Sequence, residues 1–373
     1  MPDHSDTRRS ALALIGGGAF GLGALALSSG RIGAQAPGRK LGYAIVGLGG
    51  YATGQIMPRF ARCERSRLAA LVSGTPAKLE RYGDEYGVPR THRYSYAQFD
   101  SIRDNPDIDI VYIVLPNSLH AEYSIRAAQA GKHVLCEKPM ATTAAECEAM
   151  IAASKRAGRK LMIGYRSRFE AHNRLAIRLA RDGEAGRTRL IAAEHGFAAQ
   201  PGQWRLDRKL AGGGSLMDIG IYSLNAVRYL TGEEPVALSA IESTDRRDPR
   251  FGSVEDRIDF MLRFPSGVIA NCMSSYSSNH NRYRVIGNKG WIDLEPATSY
   301  DGQKMRISKD GRTEDRKPPP QPHDQFVGQL DHLSECVAAG REPIVPGEEG
   351  LRDLRLIEAI YRSARERRHV ALA

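Results

Sequence analysis

The chain has 373 residues, 26% of them charged and 42% hydrophobic, with a formal net charge of +10 at pH 7. That is ordinary globular composition, at a length that accommodates two domains with separate cores, and it excludes disordered, collagen-like and polytopic membrane classes. Lys and Arg are scattered among acids apart from a short Arg-rich stretch over 365–368, and no basic strip is interleaved with aromatics, so nucleic acid is not an expected partner.

At the N-terminus, Thr7-Arg8-Arg9-Ser10 precedes an uncharged stretch over 11–30, and Ala34-Gln35-Ala36 follows. A basic segment, an apolar segment and a small-x-small site are the layout of a secretory signal. The paired arginines and the glycine-diluted apolar stretch make it twin-arginine in type, although Ala11 stands where a large apolar residue is usual. Residues 1–36 are therefore expected to be a signal cleaved after Ala36. The mature chain would be periplasmic and exported folded, with no stable membrane association. A retained anchor is the rival reading, weakened by the low hydrophobicity that so many glycines give the segment. Cys63, Cys136, Cys147, Cys272 and Cys336 form no CxxC and no even framework. They read as buried apolar fillers.

Residues 41–46 read as a buried strand, 67–73 as a second, and 75–86 as a helix. Residues 108–115 form a third, almost wholly apolar strand, as expected where both sheet faces are covered. Helices near 118–130 and 143–158 flank a strand over 133–136, and 160–164 closes this half. Such alternation means a parallel, doubly wound sheet with right-handed crossovers, a Rossmann-type domain over 37–164. From 165 the rhythm changes. A helix near 169–182 leads to strands around 188–199 and a helix beginning at Gly214. Alternating strands over 254–264, 268–276, 283–287 and 291–294 follow, with hairpin turns at Pro265-Ser266-Gly267 and Asn288-Lys289-Gly290. Two amphipathic helices end the chain. Residues 165–373 therefore read as an α+β domain with a large, mostly antiparallel open sheet and helices on one side. The overall class is α/β.

Gly47-x-Gly49-x-x-Ala52 follows the first strand and opens a helix. Gly47 permits the tight turn, Gly49 lets backbone approach a pyrophosphate, and Ala52 keeps the helix close to the strand. Gly50 and Tyr51 lie within the same turn. The second strand ends in Ser73-Gly74-Thr75-Pro76-Ala77-Lys78, with no acid before Glu80. An acid at that point would hold the ribose diol of NAD and repel a 2′-phosphate. The hydroxyls of Ser73 and Thr75 and the charge of Lys78 favour NADP(H) instead. Glu137-Lys138-Pro139 follows the strand 133–136, at the carboxyl edge where ligands bind in open α/β sheets. Asp218 and Tyr222 are four apart, on one helix face. No histidine–carboxylate spacing suggests a metal.

Together, residues 47–52, Glu137-Lys138-Pro139 and 218–222 make the chain resemble the Gfo/Idh/MocA oxidoreductases over nearly all its mature length. Most members have histidine at the second-domain catalytic position, where this chain has Tyr222. That departure, with residues 211–222 and Trp204-Arg205-Leu206, is similar to the glucose–fructose and aldose–aldose oxidoreductase branch. The resemblance implies tightly bound NADP(H), oxidation of an aldose at C1 to an aldonolactone, and reduction of a second sugar, aldose or ketose, to an alditol. It implies that Leu115, Pro116, Asn117 and His120 line the nicotinamide side, that Arg166 contacts the cofactor, and that Trp204 and Arg205 contact cofactor or substrate. It also implies a homodimer or homotetramer through the exposed sheet face. An unperturbed tyrosine ionises near pH ~10, too high for base work at neutrality, and an adjacent ammonium favours the phenolate. Lys138 is the candidate cation, Tyr222 the acid–base, and Asp218 the group that holds a sugar hydroxyl or orients the lysine. Glu137 would position the ribose or Lys138. The substrate set is thus Lys138, Arg205, Asp218 and Tyr222. Cofactor retention is expected from loops such as 204–210, because only residues 37–40 separate the cleavage site from the first strand. A conventional dehydrogenase with exchangeable cofactor and a non-catalytic sugar- or nucleotide-binding sensor are the alternatives.

Overall fold

The computed structural model describes residues 38–372. The expected signal over 1–36 lies outside the described residues.

The first sheet is built from β1 (Leu41–Val46), β2 (Ser66–Val72), β3 (Arg93–Tyr94), β4 (Ile110–Ile113), β5 (His133–Cys136) and β6 (Leu161–Ile163). They lie in the order β3-β2-β1-β4-β5-β6, every pair parallel. β1, β4 and β6 are buried along their whole length, which explains their unbroken apolar runs. The crossover helices are α1 (Pro76–Glu85), α2 (His120–Gln129) and α3 (Ala144–Ala157). α3 starts on a capping box, with Thr143 accepting from the Glu146 amide, and ends at left-handed Gly158. The helix after β1 is irregular: a π turn over Ala52–Ile56 gives way to a 3-10 stretch over Met57–Arg62. Pro58 sits at the changeover, where its missing N–H cannot continue the helical ladder.

The second sheet takes β7 (Thr188–Gly196), β8 (Ala237–Ser243), β9 (Arg257–Arg263), β10 (Ile269–Ser275), β11 (His280–Gly287), β12 (Gly290–Leu294), β13 (Met305–Lys309), β14 (Arg312–Arg316) and β15 (Val370–Ala371). Their order is β14-β13-β12-β11-β7-β10-β9-β8-β15. Within this second sheet only the central β7–β10 pair is parallel among the described strands. The helices here are α4 (Ala171–Arg181), α5 (Arg208–Ala211), α6 (Ile221–Thr231), α7 (Gln325–Ala339) and α8 (Gly347–Glu366). The α/β class is borne out: a parallel Rossmann-type sheet joined to a mostly antiparallel one.

The terminal helices do not simply follow the second sheet. α7 packs back on the first: Tyr43 Oη donates to Leu330 O at 2.7 Å, and Gln329 Nε2 donates to Tyr112 Oη at 2.9 Å. The Ser66 and Ser334 hydroxyls also meet, at 2.8 Å. The five cysteines are buried and unpaired.

Candidate active site

A cavity of about 940 Å³ opens along the carboxyl ends of β1, β2, β4 and β5 and is closed on its far side by residues of the second domain. Its floor is the turn after β1. Gly47 has φ +97°, and a Cβ there would lie 2.3 Å from Val114 O, so no other residue fits. At Gly49 and Gly50 an added Cβ would meet no atom within 4 Å. Bare backbone there faces open space of the kind a pyrophosphate fills. Ala52 is fully buried behind the turn, and Tyr51 packs against the Tyr300 and Phe326 rings.

The end of β2 continues this wall. Ser73 is buried, its hydroxyl accepting from the Thr75 amide at 3.2 Å. Lys78 Nζ donates to Leu48 O at 2.9 Å, which ties the first turn of α1 to the glycine turn and leaves its charge beside the cavity. Gly74 lies beneath the Tyr96 ring, where a Cβ would approach to 3.0 Å. The donor set fits a dinucleotide, and the missing acid leaves room for a third phosphate. Tyr96 carried no signal in the sequence.

Leu115 and Pro116 line the cavity beyond β4. Asn117 lines it too and donates to Ala211 O at 2.8 Å, a link between the two domains. His120 requires a correction. It is fully buried and lines no part of the cavity; its ring nitrogens face Pro139 O at 2.8 Å and Leu115 O at 2.9 Å. Burial pulls its pKa below the usual histidine range. It fastens the turn after β4 to the turn after β5.

Glu137 is buried, and burial raises its carboxyl above the usual range. It accepts from Tyr112 Oη at 2.5 Å and from its neighbour's amide, Lys138 N, at 3.2 Å. Its carboxyl packs so closely on Gly164 that a Cβ there would lie 2.8 Å from Oε1. Glu137 therefore shapes the turn that carries Lys138.

Lys138 reaches from the end of β5 to the second domain. Its Nζ donates to Asp218 O at 2.5 Å and to Asp218 Oδ1 at 3.2 Å, and stands 4.9 Å from the Tyr222 ring centroid. Asp218 sits in a π turn over Leu216–Gly220 that runs directly into α6, which carries Tyr222. Two further donors saturate the carboxylate: Arg205 Nε at 2.8 Å and Tyr276 Oη at 3.0 Å, both to Oδ2. Burial alone would raise the Asp218 carboxyl, but the Lys138 and Arg205 cations hold it below the usual range. Burial works against the Lys138 charge, and Asp218, Tyr222 and Glu137 outweigh it, holding the ammonium above its usual value.

Arg166 is buried at the start of the second domain, its guanidinium 5.2 Å from the Tyr222 centroid and 4.8 Å from that of Tyr300. Trp204 and Arg205 form a side of the cavity, the guanidinium 5.3 Å from the indole. Behind Tyr222 lies His195, ring centroids 5.8 Å apart, which burial pushes down to about 3 and so keeps neutral. Lys138, Asp218, Arg205, Arg166 and Tyr222 thus share one cavity with the glycine turn. Tyr300 and Gln203 complete it, Tyr276 stands buried behind Asp218, and none of the three was read from the sequence. Tyr276 ends the expected strand 268–276, a position that gave a signal; Tyr300 stands in a loop that gave none.

Two family models match the chain: an oxidoreductase family with an NAD-binding Rossmann fold over residues 41–165, and the C-terminal alpha/beta domain of the same family over 183–372. A crystal structure of aldose–aldose oxidoreductase from Caulobacter crescentus, complexed with glycerol, is 69% identical with a TM-score of 0.89, covering 90% of this chain and 100% of that one. D-xylose 1-dehydrogenase [NADP(+)] of Haloarcula marismortui is 32% identical over 86% of this chain and 90% of its own. D-xylose 1-dehydrogenase (NADP(+)) 2 of Haloferax volcanii is 31% identical over 86% of this chain and 97% of its own. With both family models in place over the two halves that build the cavity, the chain belongs to the Gfo/Idh/MocA oxidoreductases.

Proposed function

We propose that this protein is a sugar oxidoreductase that keeps NADP(H) bound, oxidises one aldose at C1 to an aldonolactone, and reduces a second sugar, aldose or ketose, to an alditol. The observation that carries the reading is the meeting of Lys138, Asp218 and Tyr222 in the cavity that also holds the bare glycine turn. The likeness to an aldose–aldose oxidoreductase at 69% identity supports it, and the NADP-dependent xylose dehydrogenases support the choice of dinucleotide.

When bound, NADP(H) would supply the hydride acceptor of the first half-reaction and the hydride donor of the second. The chain's own residues handle the proton. In the first half-reaction Tyr222, as general base, takes the proton of the C1 hydroxyl as the C1–H bond gives up hydride, leaving the lactone. In the second, Tyr222 returns that proton to the carbonyl oxygen of the incoming sugar as hydride arrives, which closes the balance. Lys138 presents its ammonium to the reacting oxygen and to the tyrosine. Asp218 holds Lys138 and Arg205 in place, and Trp204 and Arg205 bound the sugar side. Ser73, Thr75 and Lys78, which line the cavity at the end of β2, would hold the 2′-phosphate.

The exported, periplasmic location belongs to the same proposal, since a compartment without free nicotinamide cofactor favours permanent retention. So does assembly as a homodimer or homotetramer through the open face of the second sheet, where Ile241 is 72% and Met261 45% exposed. The test is to gel-filter the purified protein and then add an aldose. Absorbance near ~340 nm should rise to one equivalent per chain and bleach when the second sugar is added. Complete loss of nucleotide on the column would contradict retention and leave a conventional dehydrogenase.

A further inference from the structure

The charges around Tyr222 are unevenly compensated. The Lys138 ammonium meets the Asp218 carboxylate at 3.2 Å, and Asp218 also binds Arg205. Arg166 has no such counterpart. It is 5% exposed, and among the described residues its guanidinium bonds only to neutral acceptors: Thr298 O at 2.6 Å, Ser299 O at 3.3 Å and Gln325 Oε1 at 2.6 Å. Its other close neighbours are aromatic faces, Tyr300 at 4.8 Å, Tyr222 at 5.2 Å and Phe326 at 5.9 Å. Burying a cation without a paired anion is costly. A guanidinium does not escape that cost by losing its proton, whereas a buried lysine can. Three fixed neutral acceptors and three ring faces therefore hold a permanent charge against the tyrosine, with no carboxylate bonded to it among the described residues.

We infer that Arg166 is a positioning residue for the acid–base Tyr222, adding to Lys138 a second, fixed positive charge against the phenol ring. This rests on the reading of Tyr222 as the proton-transfer group. The other groups around that ring do not substitute for Arg166. His195, behind it, is neutral; Glu137, on the turn after β5, carries negative or no charge; Tyr300 and Tyr51 are neutral. Arg205 is bound to Asp218 and lies on the far side of that carboxylate from Lys138. Removing Arg166 would leave Lys138, 4.9 Å from the ring centroid and sharing the Asp218 carboxylate with Arg205, as the remaining cation against the phenol ring among the described residues.

The test uses the full mature chain saturated with NADP. Arg166→Gln should lower kcat for aldose oxidation about a hundredfold, the scale of losing one preorganised electrostatic partner, with KM for the aldose and NADP affinity within about threefold of wild type. Arg166→Lys, which keeps the charge, should recover at least about tenfold of that loss. In a Tyr222→Phe background, followed by single-turnover absorbance, Arg166→Gln should cost less than about threefold more, since both changes remove one unit of function. A parallel collapse of NADP affinity would overturn the inference and make Arg166 a cofactor clamp. A lysine variant no better than glutamine would also overturn it, as would fully additive losses. If Arg166→Gln does not fold, Arg166→Lys alone decides: activity within about tenfold of wild type supports the inference and a hundredfold loss overturns it. Near-normal turnover by Tyr222→Phe alone would sink the proposed reaction itself, a different failure.

Discussion

Asp218→Ala removes the carboxylate on which Lys138, Arg205 and Tyr276 converge. The ion pair with Lys138 is largely buried, the two side chains 13% and 16% exposed; Arg205 is 28% exposed. Taking one partner from a buried pair costs about 3–5 kcal/mol, because the other charge stays desolvated. The low end applies, since Lys138 keeps its bond to the Asp218 backbone carbonyl at 2.5 Å and Arg205 can reach water. For a chain of this length the unfolding entropy is about 0.7 kcal/mol per kelvin, so about 3 kcal/mol lowers Tm by about 4 °C. Lys138 also loses the group that aims it past Tyr222, and a displacement of about 1 Å can cost about a hundredfold in turnover. Thermal melting followed by circular dichroism and aldose-dependent absorbance near ~340 nm read the two effects. A Tm within about 1 °C and turnover within about twofold of wild type would refute the reasoning. Asp218→Asn, which keeps the shape and loses the charge, should fall between.

The same carboxylate sets a pH response. Its folded pKa is depressed, so its contribution to stability is complete above the unfolded value near ~4 and is lost as pH falls through the lower folded value. Melting curves below pH ~4 should therefore show a steeper acid loss in wild type than in Asp218→Asn; identical slopes would contradict the depressed value. Gly47→Ala places a methyl 2.3 Å from Val114 O at a left-handed φ, so a folded variant should lose dinucleotide binding, as isothermal titration would show. Lys78→Ala should weaken NADP at least about tenfold more than NAD, the scale of one charge-assisted bond, in parallel titrations of apoprotein. Equal losses would assign Lys78 only to its bond with Leu48 O.

Much of the fold was readable where one physical signal dominated. The strand expected over 133–136 matches β5 residue for residue, because Val134, Leu135 and Cys136 are apolar and buried there. The strand expected over 108–115 shrinks to Ile110–Ile113, since the chain leaves the ladder before Pro116 to build the cavity wall. β13 and β14 were missed: the edge strand Arg312–Arg316 is wholly polar and mostly exposed, and its only period is the ladder itself. β8 was missed too, as its second half, up to Ser243, is exposed. β3 is two residues long, and β15 pairs only Val370 and Ala371, too short for any periodicity. The glycine turn, Lys138, Asp218 and Tyr222 were legible because each stands at an element end with a chemical reason to be there. His120 was misplaced because sequence spacing puts it one helical turn from Asn117 without saying that its ring turns inward to two carbonyls. Tyr276 reaches Asp218 from the end of β10 and Tyr300 reaches the cavity from a loop, long-range placements that local pattern does not encode.

The most direct measurement is a single turnover of Tyr222→Phe loaded with NADP and mixed with a large excess of aldose. NADP affinity should equal that of wild type, while the rate of reduced-cofactor absorbance should fall by about a thousandfold, within the range of general acid–base catalysis. A rate close to wild type, with the nucleotide still bound, would mean that the phenol beside Lys138 does not carry the proton.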